Sequence, residues 1–169
     1  MNHQNNLIIT LFILIGISTR IFPHPPNMTA IGAIALFGGA FFQDKRLAFL
    51  IPTLIMLISD LILGQQLVIS VYVSFLIMVG LGINISHKQS FLRIFNTTLL
   101  ASLIFFIITN FSVFISASLY PKTLLGLIEC YTLAIPFFLN TLTGNMIYTF
   151  IMFYAFHFLQ KNITIKING

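Results

Sequence analysis

The sequence predicts an all-α integral membrane protein, a bundle of six transmembrane helices. Apolar residues make up 58% of the 169 residues and charged residues only 7%, whereas an ordinary soluble domain has about 25% charged residues. The 8 Lys and Arg and the 3 Asp and Glu residues lie mostly in short breaks between long apolar runs. Because a charge at the centre of a membrane helix costs roughly 2.5–3.5 kcal/mol, this layout indicates helices that cross a bilayer. We predict a single transmembrane domain that comprises residues 1–169.

The positions of the six spans follow from the apolar runs and the polar breaks between them. The region before Leu7 has no Lys or Arg, so we interpret the first run as a span rather than as a cleaved signal peptide. Gly64-Gln65-Gln66 is a tight turn between the third span and the fourth. The predicted spans are residues 7–21, 27–42, 47–63, 67–85, 94–115 and 136–159.

The last apolar stretch, residues 124–159, is too long for one span and short for two. Residues 124–138 form either a seventh span or a short surface helix before the last span. With six spans and both termini in the cytoplasm, only Arg20 and Lys122 among the basic residues lie outside, and the positive-inside rule favours that arrangement. The basic residues on the inside are then Lys45, Arg46, Lys88, Arg93, Lys161 and Lys166. We therefore expect a multi-pass protein of the inner (cytoplasmic) membrane, with both termini in the cytoplasm and an outer linker helix before the last span.

The second span is rich in small residues, which let helix backbones approach closely in a membrane. Ala35 and Gly39 lie four residues apart, and therefore on one face of this helix. That face is either the central packing surface of the bundle or a docking surface for another membrane protein. In the second interpretation, Ala35 and Gly39 are the candidate partner-docking residues.

Polar residues in this topology gather in the outer half of the membrane. A helix rises 1.5 Å per residue, so the depth of each residue follows from the end at which its span begins. The inner halves of the spans hold apolar runs such as residues 49–51. This asymmetry predicts a pocket that opens outward, and ionisable residues within spans are functional candidates by default. The candidate substrate-binding residues are Arg20, Asn27, Asp60, Tyr72, Asn110, Glu129, Tyr131, Asn140 and Asn145.

Structural roles are the alternative for the same residues. Arg20 and Asp60 can form an ion pair that ties two helix ends together. Asn110 and Asn140 can supply hydrogen bonds between helices, and the tyrosines can anchor the protein at the membrane interface. Glu129 can be a solvated residue of the linker helix.

Motifs of catalysis and of cofactor binding are absent from the sequence. There is no Walker A motif, dinucleotide fingerprint or Gly-x-Ser-x-Gly, and no cluster of aromatic and basic residues that would bind nucleic acid. The four histidines have no metal-ligand spacing; a metal held at the outer face by His24 with Asp60 or Glu129 is a minor alternative. A single cysteine, Cys130, excludes an intramolecular disulfide. We predict no enzymatic activity, no metal, no cofactor and no nucleic-acid partner.

Four blocks of the sequence carry a family resemblance that covers most of the chain. They are Arg20-Ile-Phe-Pro-His-Pro-Pro-Asn with its continuation to residue 40; Ser59-Asp60-Leu61 with Gly64; Phe105-Phe106 with Thr109-Asn110-Phe111; and Tyr120-Pro121-Lys122-Thr123 with Ile135-Pro136-Phe137-Phe138-Leu139-Asn140-Thr141. These blocks resemble an uncharacterised bacterial membrane-protein family whose members are described as candidate transport proteins. The chain departs from that family at Phe114, where Trp is expected, and at Asn145, where Asp is expected. The second departure removes an acidic group from the predicted pocket.

That family is similar in turn to the substrate-binding S components of energy-coupling-factor transporters, which have six helices and cytoplasmic termini. The resemblance implies a membrane-embedded subunit that binds a small organic nutrient, such as a vitamin or its precursor, and is energised by a transmembrane partner with two ATPases. Arg20 would pair with a substrate carboxylate or phosphate, and Tyr72 and Tyr131 would stack on a ring. The alternative is a scaffold or assembly protein whose polar groups serve only helix packing. Alanine at Asp60 and Asn110 distinguishes the two, since only a transport subunit would lose uptake or ligand retention.

Overall fold

The computed structural model describes residues 3–85 and 90–167, with the side chains of residues 11–85 and 90–158. Within these residues the chain forms seven α-helices and no β-strand. The helices are α1 (His3–Ile21), α2 (Ile31–Phe41), α3 (Lys45–Leu63), α4 (Ile69–Ile85), α5 (Phe91–Ser116), α6 (Leu124–Leu133) and α7 (Ile135–Ile167). The prediction of an all-α protein is confirmed.

Several of these helices are suited to a membrane by length and composition. α3 and α5 are each long and apolar enough to cross a bilayer. α6 and the following segment 135–158 of α7 are bent by 45° at their junction, and they add a third crossing if the pair is one broken span. Shorter apolar helical segments are Leu11–Ile21, Ile31–Phe41 and Ile69–Ile85. Helices fit to cross a membrane are therefore present, and the number of six spans stays a prediction.

Short polar side chains at the sequence breaks determine where helices begin. Asp44, Ser90 and Thr123 each accept a hydrogen bond from a backbone N–H two or three residues later, as N-cap residues do. Gly64 ends α3 in the left-handed conformation with φ 64°, which glycine adopts without steric cost. The polar breaks that delimited the predicted spans are thus helix ends.

The helix α2 lies at the centre of the bundle, with all of residues 31–40 buried. Its 11 residues extend roughly 16 Å, about half the hydrocarbon thickness of a bilayer. It is shorter than the predicted span 27–42 because residues 27–30 do not continue the helix. Asn27 has φ 66°, in the left-handed region, and follows Pro25 and Pro26. A loop of residues 22–30 therefore replaces the first turns of the expected span.

Glycines allow α2 and α4 to cross at very short distance. A Cβ atom on Gly39 would clash with the backbone of α4, and a Cβ atom on Gly82 would clash with the backbone of α2 at Leu36. Ala35 has no exposed surface. The packing interpretation of the small residues therefore fits the structure, and the predicted docking surface at Ala35 and Gly39 is corrected, because this face is occupied by the chain itself.

An aromatic cluster fills one end of the bundle. The ring of Phe37 lies 4.5–5.6 Å, between centroids, from the rings of Phe12, Phe41, Phe153 and Phe156. Edge-to-face and tilted ring pairs at such distances are favourable packing arrangements. The polar side chains described below lie toward the opposite, N-terminal end of α2.

Replacement of Gly82 by alanine tests the crossing of α2 and α4. The new methyl group meets backbone rather than a flexible side chain, so we expect the free energy of unfolding to fall by about 2 kcal/mol, as in an overpacked core. Gly80→Ala is the matched control on the same helix, because nothing lies within 4 Å of a Cβ at that position; it should be neutral or slightly stabilising. Thermal unfolding in lipid nanodiscs measures both, and equal midpoints for the two variants would contradict the close crossing.

Candidate functional site

Two adjoining cavities lie at the end of the bundle where α1 and α3 end and α4 and α7 begin. The first, which we call the polar chamber, has a volume of about 340 Å³, and the second, the aromatic chamber, about 460 Å³. Each volume falls within the range of small-molecule sites, roughly 300–1,000 Å³. The two chambers share six wall residues: Pro26, Asn27, Val68, Val71, Phe105 and Thr141.

The polar chamber occupies the space that opens where α2 begins late. Gly32, in the first turn of α2, lies at its buried floor together with Asp60 and Asn145. Irregular backbone at membrane depth is tolerated where it lines a cavity, as the loop of residues 22–30 does here. The remaining polar lining residues, several of them exposed at the mouth, are Arg20, His24, Asn27, Thr29, Gln65, Gln66 and Thr141.

Arg20 and Asp60 form an ion pair beside this chamber, with Nη1 of Arg20 at 2.6 Å from Oδ1 of Asp60. The side chains are 12% and 3% exposed, respectively. Nη1 also donates to Oγ of Ser59 (3.0 Å), and Nη2 donates to Oε1 of Gln65 (2.7 Å). The second carboxylate oxygen of Asp60 accepts a hydrogen bond from the Tyr72 hydroxyl at 2.8 Å. The pair therefore joins α1, α3 and α4, and each charge is neutralised within the protein.

Asn145 projects from α7 onto the floor of the polar chamber and is 3% exposed. Its Nδ2 donates to Oγ of Ser102 on α5 at 2.9 Å, and Ser102 in turn donates to the carbonyl of Thr98. A Cβ atom on Gly32 would clash with Oδ1 of Asn145. Gly32 thus leaves the room that this amide needs.

The aromatic chamber is lined mainly by α5, α6 and the start of α7. The rings of Phe106 and Phe138 lie 5.0 Å apart in its wall. Nδ2 of Asn110 donates to the carbonyl of Phe106 in its own helix, and Sγ of Cys130 donates to the carbonyl of Asn110. The other residues that line only this chamber are Thr109, Val113, Tyr120, Leu133, Ala134 and Phe137. No charged residue is among the described residues of this lining.

Five predicted site residues line the chambers. Arg20, Asn27, Asp60 and Asn145 line the polar chamber, and Asn110 lines the aromatic chamber together with Asn27. Their convergence follows from the alternation of helix directions, which brings the end of α3 and the start of α7 to the same end of the bundle.

The other four predicted residues lie outside both linings. Tyr72 reaches the polar chamber only through its hydrogen bond to Asp60. Glu129 is exposed on α6, whose buried residues are Gly126 and Cys130. Tyr131 donates to the carbonyl of Ile107 at 2.8 Å and packs against Phe106 rather than lining a chamber.

Asn140 also lies outside, and helix geometry gives the reason. Thr141 and Asn145, four residues apart on α7, line the polar chamber. Asn140 precedes Thr141 by one residue and is therefore rotated by about 100° from that face.

Some chamber residues were not among the candidates. Gln65 and Gln66 were interpreted only as part of a turn. Their two side-chain amides, close to Asp60 in the sequence, were a signal that could have identified them as chamber residues. Phe105, which both chambers share, carries no polar group, so its side-chain chemistry does not distinguish it from a lipid-facing phenylalanine.

The described residues contain no group of three or more His, Cys, Asp and Glu side chains that could hold a metal ion. Of the residues considered for a metal at the outer face, His24 and Asp60 line the polar chamber, and Glu129 does not. Nδ1 of His24 lies at hydrogen-bond distance, 2.7 Å, from the carbonyl oxygen of Phe22.

These features define an all-α protein with membrane-suited helices and two open cavities at one end of the bundle. The chain belongs to a family of unknown function, DUF6580, whose match covers residues 1–166. No curated protein and no solved structure matches the chain. Membership of an uncharacterised family is thus confirmed, and the likeness to energy-coupling-factor S components stays a hypothesis.

Replacement of Asp60 by asparagine tests the ion pair. Arg20 would keep its charge in a mostly buried position without a counter-ion, so we expect the free energy of unfolding to fall by about 3 kcal/mol. Glu129→Gln, which neutralises an exposed acid of α6, should change it by less than about 0.5 kcal/mol. Thermal unfolding in nanodiscs compares the two, and an Asp60→Asn variant as stable as Glu129→Gln would show that the pair does not hold the helices together.

Proposed function

We propose that the protein is a membrane-embedded substrate-binding subunit for the uptake of a small organic nutrient. The observation that carries this proposal is the polar chamber at one end of the bundle, whose buried floor includes Asp60 and Asn145. Buried polar groups are costly in an apolar environment unless they are satisfied. A chain that needed only helix packing would fill this space with apolar side chains, as it does around Phe37 at the other end.

The predicted topology gives the chamber a direction. If α1 to α5 and α7 are the six spans, with α2 as a short central one, the ends that meet at the chambers are the outer ends. α6 would then be the linker helix on the outer surface, which suits its exposed apolar residues Leu124, Leu125 and Ile128. A nutrient would enter from outside, and both termini would lie in the cytoplasm of a cell with this protein in its inner membrane.

The chain has no nucleotide-binding motif, so in this proposal any ATP hydrolysis that drives uptake is carried out by a partner. The resemblance to energy-coupling-factor S components suggests a transmembrane subunit with two ATPases for this role. Since Ala35 and Gly39 are buried, such a partner would contact other helix faces.

The second candidate is a scaffold or assembly protein, and the ion pair favours it. Arg20, Asp60 and Tyr72 satisfy one another across three helices, which is a sufficient structural reason for their presence. A packing role accounts for the bond from Asn145 to Ser102 as well. It does not require the other polar side chains that line the chamber, such as Asn27, Thr29 and Gln66.

Native mass spectrometry of protein released gently from its own membrane tests the proposed function. We expect the wild-type chain to retain one small molecule and Asn145→Ala to retain at least about tenfold less, because a ligand loses a buried hydrogen-bonding partner. Asn145 is a better position than Asp60 for this test, because its replacement leaves the hydrogen bond from Ser102 to Thr98 in place.

Thr98→Val is the matched control. Thr98 is a fully buried polar residue of α5 outside both linings, and its hydroxyl donates to the carbonyl of Ile94 in its own helix. It should retain the small molecule as the wild type does. A wild-type chain with nothing bound, or equal retention by Asn145→Ala and Thr98→Val, would contradict the substrate-binding function.

A further inference from the structure

The two chambers adjoin but differ in chemistry. The polar chamber presents amide and hydroxyl groups, including those of Asn145, Gln65 and Thr29. The aromatic chamber presents the rings of Phe106, Phe137 and Phe138 beside a smaller share of polar groups, with no charge among its described lining residues. A molecule that extends past the shared wall residues would therefore meet two different environments.

The charges beside the polar chamber are already compensated. Both carboxylate oxygens of Asp60 accept hydrogen bonds, one from Arg20 and the other from Tyr72. The Arg20 guanidinium is bonded to Asp60, Ser59 and Gln65. Apart from His24, the described residues that line the polar chamber therefore offer an ionised ligand group no side-chain charge that is not already compensated, so burying such a group would carry a large desolvation cost. This bonding argues against the expectation that Arg20 pairs with a substrate carboxylate or phosphate.

The N-terminal end of α2 favours a negatively charged ligand group, but this effect is weaker than the desolvation cost of burying the charge. Gly32 brings the positive end of this helix dipole to the chamber floor, which favours an anion or the oxygen of a carbonyl group. The stabilisation by a helix end is a fraction of the cost of a buried, uncompensated charge. A neutral carbonyl oxygen gains from the helix end without that cost.

The aromatic chamber favours a ring. The rings of Phe106 and Phe138 in its wall have centroids 5.0 Å apart, and Phe105 adds a third ring at the wall shared with the polar chamber. Aromatic walls gain from edge-to-face or offset contact with a further ring, beyond the burial of apolar area.

We infer that the two chambers bind one molecule with two unlike parts: an uncharged, hydrogen-bonding head such as a carboxamide in the polar chamber, and an aromatic ring in the aromatic chamber. This inference rests on the proposed substrate-binding function and adds the chemical class of the substrate. The head accepts and donates hydrogen bonds at Asn145 and Gln65, and the ring packs against Phe106 and Phe138.

Three related compounds test both parts of this inference. N-Benzoylglycinamide has an uncharged amide head and a phenyl ring, N-benzoylglycine replaces the amide by a carboxylate, and N-acetylglycinamide lacks the ring. Each is added at millimolar concentration to the full chain in nanodiscs, and the midpoint of thermal unfolding is recorded. We expect N-benzoylglycinamide to raise the midpoint by about 3 °C, and the other two compounds to have at least about tenfold weaker apparent affinity.

Variants in each chamber show whether one molecule occupies both. Asn145→Ala acts in the polar chamber, Phe106→Ala in the aromatic chamber, and Thr98→Val is the control outside both. If Phe106→Ala does not fold, Val113→Phe narrows the same chamber at a partly exposed position without removing core packing. We expect the variants of both chambers to lower the affinity for N-benzoylglycinamide at least about tenfold, and Thr98→Val to leave this affinity unchanged.

The outcomes separate this inference from the proposed function. Any one of four results overturns the inference. N-Benzoylglycine or N-acetylglycinamide binds as well as N-benzoylglycinamide, the variants of only one chamber lose binding, or none of the three compounds binds. In those cases a small molecule retained in native mass spectrometry would still support a substrate-binding subunit. A retained molecule that is uncharged at neutral pH and contains an aromatic ring supports both.

Discussion

The contact between α2 and α4 determines how the rest of the bundle is arranged. Gly39 and Gly82 bring the two backbones together so closely that neither position accepts a Cβ atom. Around this contact α2 is enclosed by its neighbours, and all of residues 31–40 are buried. A helix that does not face lipid need not match the bilayer thickness, so α2 can begin as late as Ile31. The space left above its first turn is the polar chamber, which is therefore a consequence of how the central helix packs.

The ion pair of Arg20 and Asp60 complements this arrangement at the mouth of the chamber. An arginine and an aspartate in an apolar bundle are tolerated because each satisfies the other, with Tyr72 and Gln65 completing the hydrogen bonds. The pair fixes the ends of α1 and α3 against the start of α4. Because the two charges compensate each other, neither is free to pair with a charged group on a ligand. One interaction thus supports the fold and shapes the electrostatics of the chamber, which is why a loss of binding in Asp60 variants alone would not identify a ligand contact.

Much of the fold could be predicted from the distribution of polar residues. Asp44, Ser90 and Thr123 break apolar runs and cap helices, so element type and most boundaries follow from local chemistry. The second span was predicted too long, because its start depends on the left-handed backbone of Asn27 and on tertiary packing, which composition does not show.

The site was predictable only in part. Asp60, near the end of α3, and Asn145, in the first third of α7, were predicted to lie at the same end of the bundle, and both line the chamber floor. Asn140 lies outside both linings because of helix rotation, and Glu129 is exposed on α6; polarity alone specifies neither. The central claim is that the two chambers together bind one small molecule. A high-resolution crystal structure of protein purified from its native membrane, grown in a lipidic mesophase without added ligand, tests that claim most directly. The account predicts continuous non-protein density that extends from Asn145 past Phe105 to Phe106. Chambers closed by side chains, or occupied only by separate water molecules, would contradict it.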